Sequence, residues 1–387
     1  MPKLKPLSQA AIKNKRVIIR VDFNIPISDN SKIDKNEKWR IESAIPTLKY
    51  LIKKRAKIII ITHLGRPNGK KNKTLKLDLI AKEVEKILKI KVLKLDEVEG
   101  GRVNQSIAQM KEGEIVMLEN IRFYPEEEKN SLSFAKKLSK LGDVFINEAF
   151  SVSHRKHASI VGITKYLPSY AGLVFEKEIG ELDKVLKEPK RPLLFIIGGA
   201  KIKTKIKVID KFIKLADKVL VGGALPNTIF AAHGIEVGKS LIERNMFKVV
   251  ENLNLENSKI QLPIDFICKN TEISVKTLNG VSENEFIGDI GPKTVQLFLQ
   301  EIKKAKMIIW NGPMGLVEKK PFDRASEAIA RTIIQSRSYS VVGGGDTVTF
   351  INKLKLEKRF NYISTGGGAM LEYLAKETLP GIEALKK

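Results

Sequence analysis

The stretch Ile58-Ile59-Ile60-Ile61-Thr62-His63-Leu64-Gly65-Arg66-Pro67 passes from four isoleucines straight into a polar loop carrying a glycine. A strand with one wet face would alternate apolar and polar residues. A run that is apolar at every position fits a strand covered on both faces, as in a parallel sheet. Similar short, largely apolar runs recur at Val17–Val21, Ile115–Leu118 and Val144–Ile146, and again at Leu193–Ile197, Val219–Val221, Met307–Trp310 and Tyr339–Val342. Between the runs lie helical periods. Leu75, Leu79, Val84, Ile87 and Leu88, for example, fall roughly on one face of the segment Thr74–Ile90. Short buried strands alternating with amphipathic helices predict an α/β class built from doubly wound parallel sheets.

At 387 residues the chain is long for one domain. A helix-like stretch, Leu173–Lys187, runs into Pro189 and Pro192, and a new buried strand follows at once. This predicts a first domain over 1–170, an interdomain helix over 171–190, a second domain over 191–370 and a tail over 371–387.

The formal net charge of +25 admits nucleic acid, an anionic membrane or small polyanions as partners. Arginine supplies 14 of the 69 basic residues and lysine the other 55, spread without a basic arm, and aromatic residues make up only 6%. That diffuse pattern argues against a nucleic-acid partner. No apolar run reaches the roughly 18 residues that cross a bilayer, and the first residues lack the apolar core of a secretory signal, so we expect a cytoplasmic protein without a membrane partner. Cys268 is the only cysteine; it excludes an internal disulfide and reads as a small core hydrophobe.

Ligands of open parallel sheets bind beyond the carboxyl ends of the strands, and there the two halves differ. In the first half the runs lead into Asp22-Phe23-Asn24, into His63-Leu64-Gly65-Arg66, into Glu119-Asn120-Ile121-Arg122 and into Asn147 through His154-Arg155, with Arg40 in the first connection. Four of the 14 arginines thus lie on one predicted side. Guanidinium forks match phosphate and carboxylate bidentately, so Arg40, Arg66, Arg122 and Arg155 with Asp22 and Asn24 suit a small polyanion bearing a hydroxyl.

In the second half the runs end in glycine: Gly198-Gly199-Ala200-Lys201, Gly222-Gly223-Ala224, Asn311-Gly312-Pro313-Met314-Gly315, Gly343-Gly344-Gly345-Asp346-Thr347 and Gly366-Gly367-Gly368. Glycine lets backbone approach phosphate, and a following helix offers unpaired N–H groups. The series predicts a nucleotide site, with Asp346 the natural magnesium ligand. Neither a P-loop nor a G-x-G-x-x-G fingerprint occurs.

These motifs resemble those of the phosphoglycerate kinases. Arg20-Val21-Asp22-Phe23-Asn24-Ile25-Pro26, His63-Leu64-Gly65-Arg66-Pro67, Glu119-Asn120-Ile121-Arg122-Phe123 and His154-Arg155-Lys156-His157-Ala158-Ser159 are similar to the family's substrate-side motifs. Gly198–Lys201, Trp310–Gly315, Gly343–Thr347 and Ser364–Ala369 are similar to its nucleotide-side motifs, in the same order and across nearly the whole chain.

The resemblance implies two Rossmann-like domains facing across a cleft that closes on its ligands, with the tail returning to the first domain. It implies reversible phosphoryl transfer between 1,3-bisphosphoglycerate and Mg-ADP, giving 3-phosphoglycerate and Mg-ATP, by a monomer. Asp22, Phe23, Asn24, Arg40, His63, Leu64, Gly65, Arg66, Arg122 and Arg155 would form the phosphoglycerate site. Gly199, Ala200, Lys205, Asn311, Pro313, Glu318 and Gly343, Gly344, Gly345, Asp346 and Thr347 would form the nucleotide site, with Lys205 on the phosphates and Glu318 on the ribose. Arg40, Lys201 and Gly367 would serve the transferring group.

The chain departs from the family pattern in places. Asp29–Glu37 is longer and more polar, Glu148 and Ser151 replace an expected Asp and Gly, and Ala224 and Pro226 interrupt a glycine-rich turn. Two other readings stay open from the residues alone: a different nucleotide-dependent kinase or ligase, and a basic nucleic-acid-binding protein.

Overall fold

The computed structural model describes residues 4–27, 33, 37–253 and 257–386; most of Asp29–Glu37 lies outside them. The chain divides into two compact units, Met1–Gly180 with Thr378–Lys387, and Glu181–Glu377. The division falls within the single helix Leu173–Lys187. Residues 371–377 stay with the second unit, in and just after the helix Gly368–Lys376.

In the first unit the strands are β1 (Arg16–Arg20), β2 (Lys57–Ile61), β3 (Val92–Lys94), β4 (Ile115–Met117), β5 (Val144–Asn147) and β6 (Ser169–Ala171). All pair in parallel, in the order β3-β4-β2-β1-β5-β6. Ile18 at the centre of β1 stands opposite Ile59 of β2 and Phe145 of β5. Successive side chains enter opposite cores. Val17, Ile19, Ile58 and Ile60 pack with Leu48, Leu51, Ile80 and Val84, while Ile18, Ile59 and Phe145 pack with Val103, Leu138 and Ile163. Each such burial stabilises by about 1.5–3 kcal/mol.

The helix Asp78–Leu88 buries Ile80, Ala81, Val84 and Leu88, whereas Leu79 and Ile87 are only half-buried. The expected apolar face was therefore rotated by about one residue. The short helix Pro380–Leu385 belongs to this unit, and the amide of Gly381 donates to the Ser153 carbonyl at 2.8 Å.

The second unit contributes β7 (Leu193–Ile197), β8 (Lys218–Val221), β9 (Ile260–Gln261), β10 (Asp265–Lys269), β11 (Ile273–Thr277), β12 (Phe286–Ile290), β13 (Met307–Asn311), β14 (Tyr339–Gly343) and β15 (Tyr362–Ile363). Six make a parallel sheet, β15-β14-β13-β7-β8-β9, with Trp310 fully buried in its core. The other three form an antiparallel sheet, β11-β10-β12. That sheet gave no continuous apolar run, because the edge strand β11 alternates between exposed and half-buried residues. Cys268 of β10 is fully buried against Phe266 and Ile287.

Candidate active site

In the first unit the chain passes from β1 to β2 on one side and reaches β5 on the other, so the strand order reverses between β1 and β5. At such a reversal the loops beyond the carboxyl ends part and leave a crevice. Backbone bonds hold the loops in register: Val21 N–H donates to the Ile61 carbonyl at 3.0 Å and Glu148 N–H to that of Arg20 at 2.9 Å.

His63, just beyond β2, is 2% exposed. Its Nδ1 lies 3.2 Å from Nη2 of Arg20. A guanidinium has no acceptor, so Nδ1 must carry the lone pair and the ring proton sits on Nε2. Burial holds the imidazole pKa well below its usual range against the pull of Asp22, and Arg20 and Arg122 lower it further. His63 is a neutral donor and not a titrating acid.

Asp22 receives the hydroxyl of Ser151 and, at 3.2 Å, the amide of Asn24. Burial alone would raise this carboxyl, but His63, Arg40, the Ser151 hydroxyl and Arg20 outweigh it, so the pKa lies below the ordinary value. The amide oxygen of Asn24 accepts from Gly65 N–H at 2.7 Å, and Phe23, fully buried, donates its N–H to Thr62 Oγ1 at 3.0 Å. Gly65 adopts φ +62°, a conformation that favours glycine. Leu64 N–H donates to Asn120 Oδ1 at 3.2 Å.

Arg122 is 4% exposed and donates to the Gly65 carbonyl at 2.8 Å. Burial, with Arg20 and Arg155 nearby, brings its pKa down to about 10, still well above neutrality. Arg155 is half-buried beside His154, and its charge acts on Arg122 and His157. Arg40, in the first turn of the helix Trp39–Lys53, lies over the Trp39 ring at 4.5 Å and pairs with Glu37 at 2.7 Å. Arg66 is exposed, with no partner among the described residues. Asp22, His63, Arg40, Arg122 and Arg155 therefore form one electrostatically linked group.

Sequence reading missed what stands behind this group. Arg20 is fully buried, its Nε donating to Ser159 Oγ at 2.9 Å and its Nη1 to the Val21 carbonyl. Ser159 in turn gives its hydroxyl and amide to the fully buried Glu127, at 2.6 and 2.8 Å. An arginine inside the apolar run Val17–Val21 was the available signal, since a buried guanidinium requires a buried counter-charge. Glu148 is also buried, accepting from Thr47 and from the Val174 amide at the start of the helix Leu173–Lys187; burial pushes its pKa up to about 8.

In the second unit the order reverses between β7 and β13, and several glycine turns there serve one another. Gly198 N–H donates to the Asn311 carbonyl at 2.9 Å, Gly199 N–H to Pro313 at 2.7 Å, Gly223 N–H to Met314 at 2.9 Å and Ala224 N–H to Gly199 at 3.0 Å. A Cβ on Gly198, Gly223 or Gly312 would overlap backbone atoms of a neighbouring turn. At these three positions the absence of a side chain lets the turns pack on each other.

Other turns remain open. A Cβ on Gly367 (φ +51°) or Gly368 meets nothing within 4 Å. The helices Gly345–Lys353 and Gly368–Lys376 begin at Gly344 and Gly367 without a side-chain cap, which leaves first-turn N–H groups pointing outward. Thr347 Oγ1 accepts from Gly312 N–H at 2.9 Å, and the buried Asn311 packs against Gly344. Gly343 is buried, whereas Gly345 and Asp346 are exposed. Lys205 reaches toward Gly199. Burial lowers its pKa, Asp346 and Glu243 raise it, and Lys201 lowers it, so these four side chains share one neighbourhood. Lys201 and Glu318 are exposed.

Among the described residues no three His, Cys, Asp or Glu side chains converge as a metal cage. A single exposed carboxylate at a helix start fits magnesium that arrives already held by nucleotide phosphates and water.

The phosphoglycerate kinase family model matches residues 7–377. A phosphoglycerate kinase from Dictyoglomus turgidum is 43% identical over 97% of this chain and 96% of its own. The chain belongs to the phosphoglycerate kinase family. Another phosphoglycerate kinase, from Pelotomaculum thermopropionicum, is 39% identical over 98% of each chain. Among solved structures, the phosphoglycerate kinase of Pyrococcus horikoshii OT3 is similar with a TM-score of 0.88 at 31% identity, covering 99% of this chain and 98% of that one. That of Coxiella burnetii has a TM-score of 0.83 at 33% identity, covering 99% of both.

Proposed function

We propose that this member of the phosphoglycerate kinase family transfers a phosphoryl group reversibly between 1,3-bisphosphoglycerate and Mg-ADP, giving 3-phosphoglycerate and Mg-ATP. The observation that carries the assignment is the linked group Asp22, His63, Arg40, Arg122 and Arg155: fixed positive charge, one ionised carboxylate and one neutral imidazole donor. Phosphate and carboxylate of a phosphoglycerate suit the guanidiniums, and Asp22 with Asn24 suits its hydroxyl. Phe23, Leu64 and Gly65 shape that loop, and Arg66, exposed and unpartnered among the described residues, is available to the same anion.

The attacking oxygen is already anionic, so no general base is needed. Catalysis rests on alignment and on stabilising charge spread over the passing phosphoryl group. Arg40, Lys201 and the backbone at Gly367 are assigned to that group. The nucleotide is assigned to Gly199, Ala200, Lys205, Asn311, Pro313, Glu318 and Gly343 through Thr347, with Lys205 on its phosphates, Glu318 on its ribose and Asp346 on magnesium. Magnesium, when bound, neutralises charge on the phosphate oxygens.

Small-molecule substrates, a monomeric state and a cytoplasmic location complete the reading. No helix among the described residues is long and apolar enough to cross a membrane. Assay of ADP formation from ATP, with 3-phosphoglycerate compared against other carboxylates, tests it: activity specific to 3-phosphoglycerate supports the assignment, and equal activity with unrelated carboxylates overturns it.

A further inference from the structure

His63 has two neighbours competing for Nδ1. Arg20 Nη2, at 3.2 Å, can only donate to it. Asp22 Oδ1, at 3.8 Å, could only accept from it. Burial keeps the ring neutral, and Arg20 keeps its proton off Nδ1; if Arg20 withdrew, Nδ1 would be free to carry the proton and donate it to Asp22. Arg122 and His157 are the remaining titratable groups acting on the ring.

The Val21 carbonyl accepts from Arg20 Nη1, and a short relay holds Nε. Ser159 Oγ accepts from Arg20 Nε at 2.9 Å and donates to Glu127 Oε1 at 2.6 Å, while the Ser159 amide binds Glu127 Oε2 at 2.8 Å. All three side chains are inaccessible to solvent, so the links are made without bulk water. We propose that Ser159 and Glu127 are positioning residues for phosphoglycerate binding, acting through Arg20 to hold His63 as a neutral Nε2–H donor beside an unencumbered Asp22 carboxylate. The proposal rests on the reaction assigned above, but its test reads the imidazole directly.

The measurement is a set of ¹⁵N–¹H correlation spectra of the histidine rings in the full-length protein between pH 5 and 9, with His63 identified by its loss in His63→Gln. In the wild type His63 should show a bare Nδ1 and a protonated Nε2 throughout. In Ser159→Ala a proton should appear on Nδ1 within that range, and KM for 3-phosphoglycerate should rise about tenfold with turnover changed less than about twofold, the loss expected for one hydrogen bond to a charged group. Ser159→Thr, which keeps the hydroxyl, should restore both readouts. A wild-type His63 that is protonated on Nδ1 overturns the proposal, and so does a folded Ser159→Ala protein with a wild-type His63 spectrum. If Ser159→Ala does not fold, the wild-type spectrum and Ser159→Thr still decide. Absence of phosphoglycerate turnover alongside the expected His63 spectra would strike the assigned reaction and leave the relay standing.

Discussion

Nη1 of Arg122 donates to the carbonyl oxygen of Gly65 at 2.8 Å, so a buried guanidinium at the end of β4 fixes the loop that follows β2. The same residue thus supplies charge and holds the backbone next to His63. Arg122→Ala should raise KM for 3-phosphoglycerate at least tenfold and also lower stability by about 1–3 kcal/mol, because the loop carbonyl loses a charged partner. Arg66→Ala, at an exposed position, should raise KM without a stability cost. Chemical denaturation beside steady-state kinetics separates the two.

The glycine turns of the second unit should divide into two classes. Gly312→Ala places a side chain at φ +92° against the Gly198 backbone and should cost at least about 2 kcal/mol of unfolding free energy. Gly368→Ala meets nothing within 4 Å and should be neutral or stabilising by about 0.5–1 kcal/mol, as expected for alanine replacing glycine in a helix. Thermal melts of the two variants check this directly.

Glu148 gives stability a pH dependence of definite sign. Its carboxyl titrates near 4 when unfolded and at about 8 when folded. The folded state therefore holds an extra proton between these values, and stability falls as pH rises from about 4 to 8. Glu148→Gln, which cannot ionise, should leave stability at pH 4 nearly unchanged and raise it by roughly 4–5 kcal/mol at pH 8. Asp289, also raised to about 8 by burial, keeps its own slope in that variant, and Asp289→Asn should reduce it further.

Asp346 and Lys205 should behave as a pair. Asp346→Asn removes the carboxylate that raises the Lys205 pKa and should weaken Mg-ATP binding about tenfold or more. Calorimetric titration with ATP should then show little difference with and without magnesium. An unchanged magnesium dependence would remove Asp346 from the metal.

Much of this architecture could be read from the chain because parallel strands are buried on both faces. Ile58–Ile61 and Leu193–Ile197 advertise themselves as uninterrupted apolar runs, and functional loops follow them. β3, β6 and β15 are only two or three residues long, too short for periodicity to register, and β11 half-faces solvent. The charged residues of the candidate site stood out as polar groups at strand ends, so the grouping of Asp22, His63, Arg122 and Arg155 was legible. Glu127 was not. Its partner Arg20 lies more than a hundred residues away, and nothing local in Pro125–Glu128 distinguishes the buried acid from Glu126 beside it. The roles of Gly198 and Gly312 were hidden for a related reason, since packing between turns is a long-range fact.

The central claim is that fixed guanidinium charge in the first unit serves transfer of one phosphoryl group to or from phosphoglycerate. Turnover of ATP with 3-phosphoglycerate, in magnesium, by the wild type and by Arg40→Ala tests it most directly. The account predicts activity that requires both 3-phosphoglycerate and magnesium and falls about 10²–10³-fold in the variant, the cost of losing one preorganised charge at a transition state. Wild-type turnover in Arg40→Ala, or ATP consumption indifferent to 3-phosphoglycerate, would contradict it.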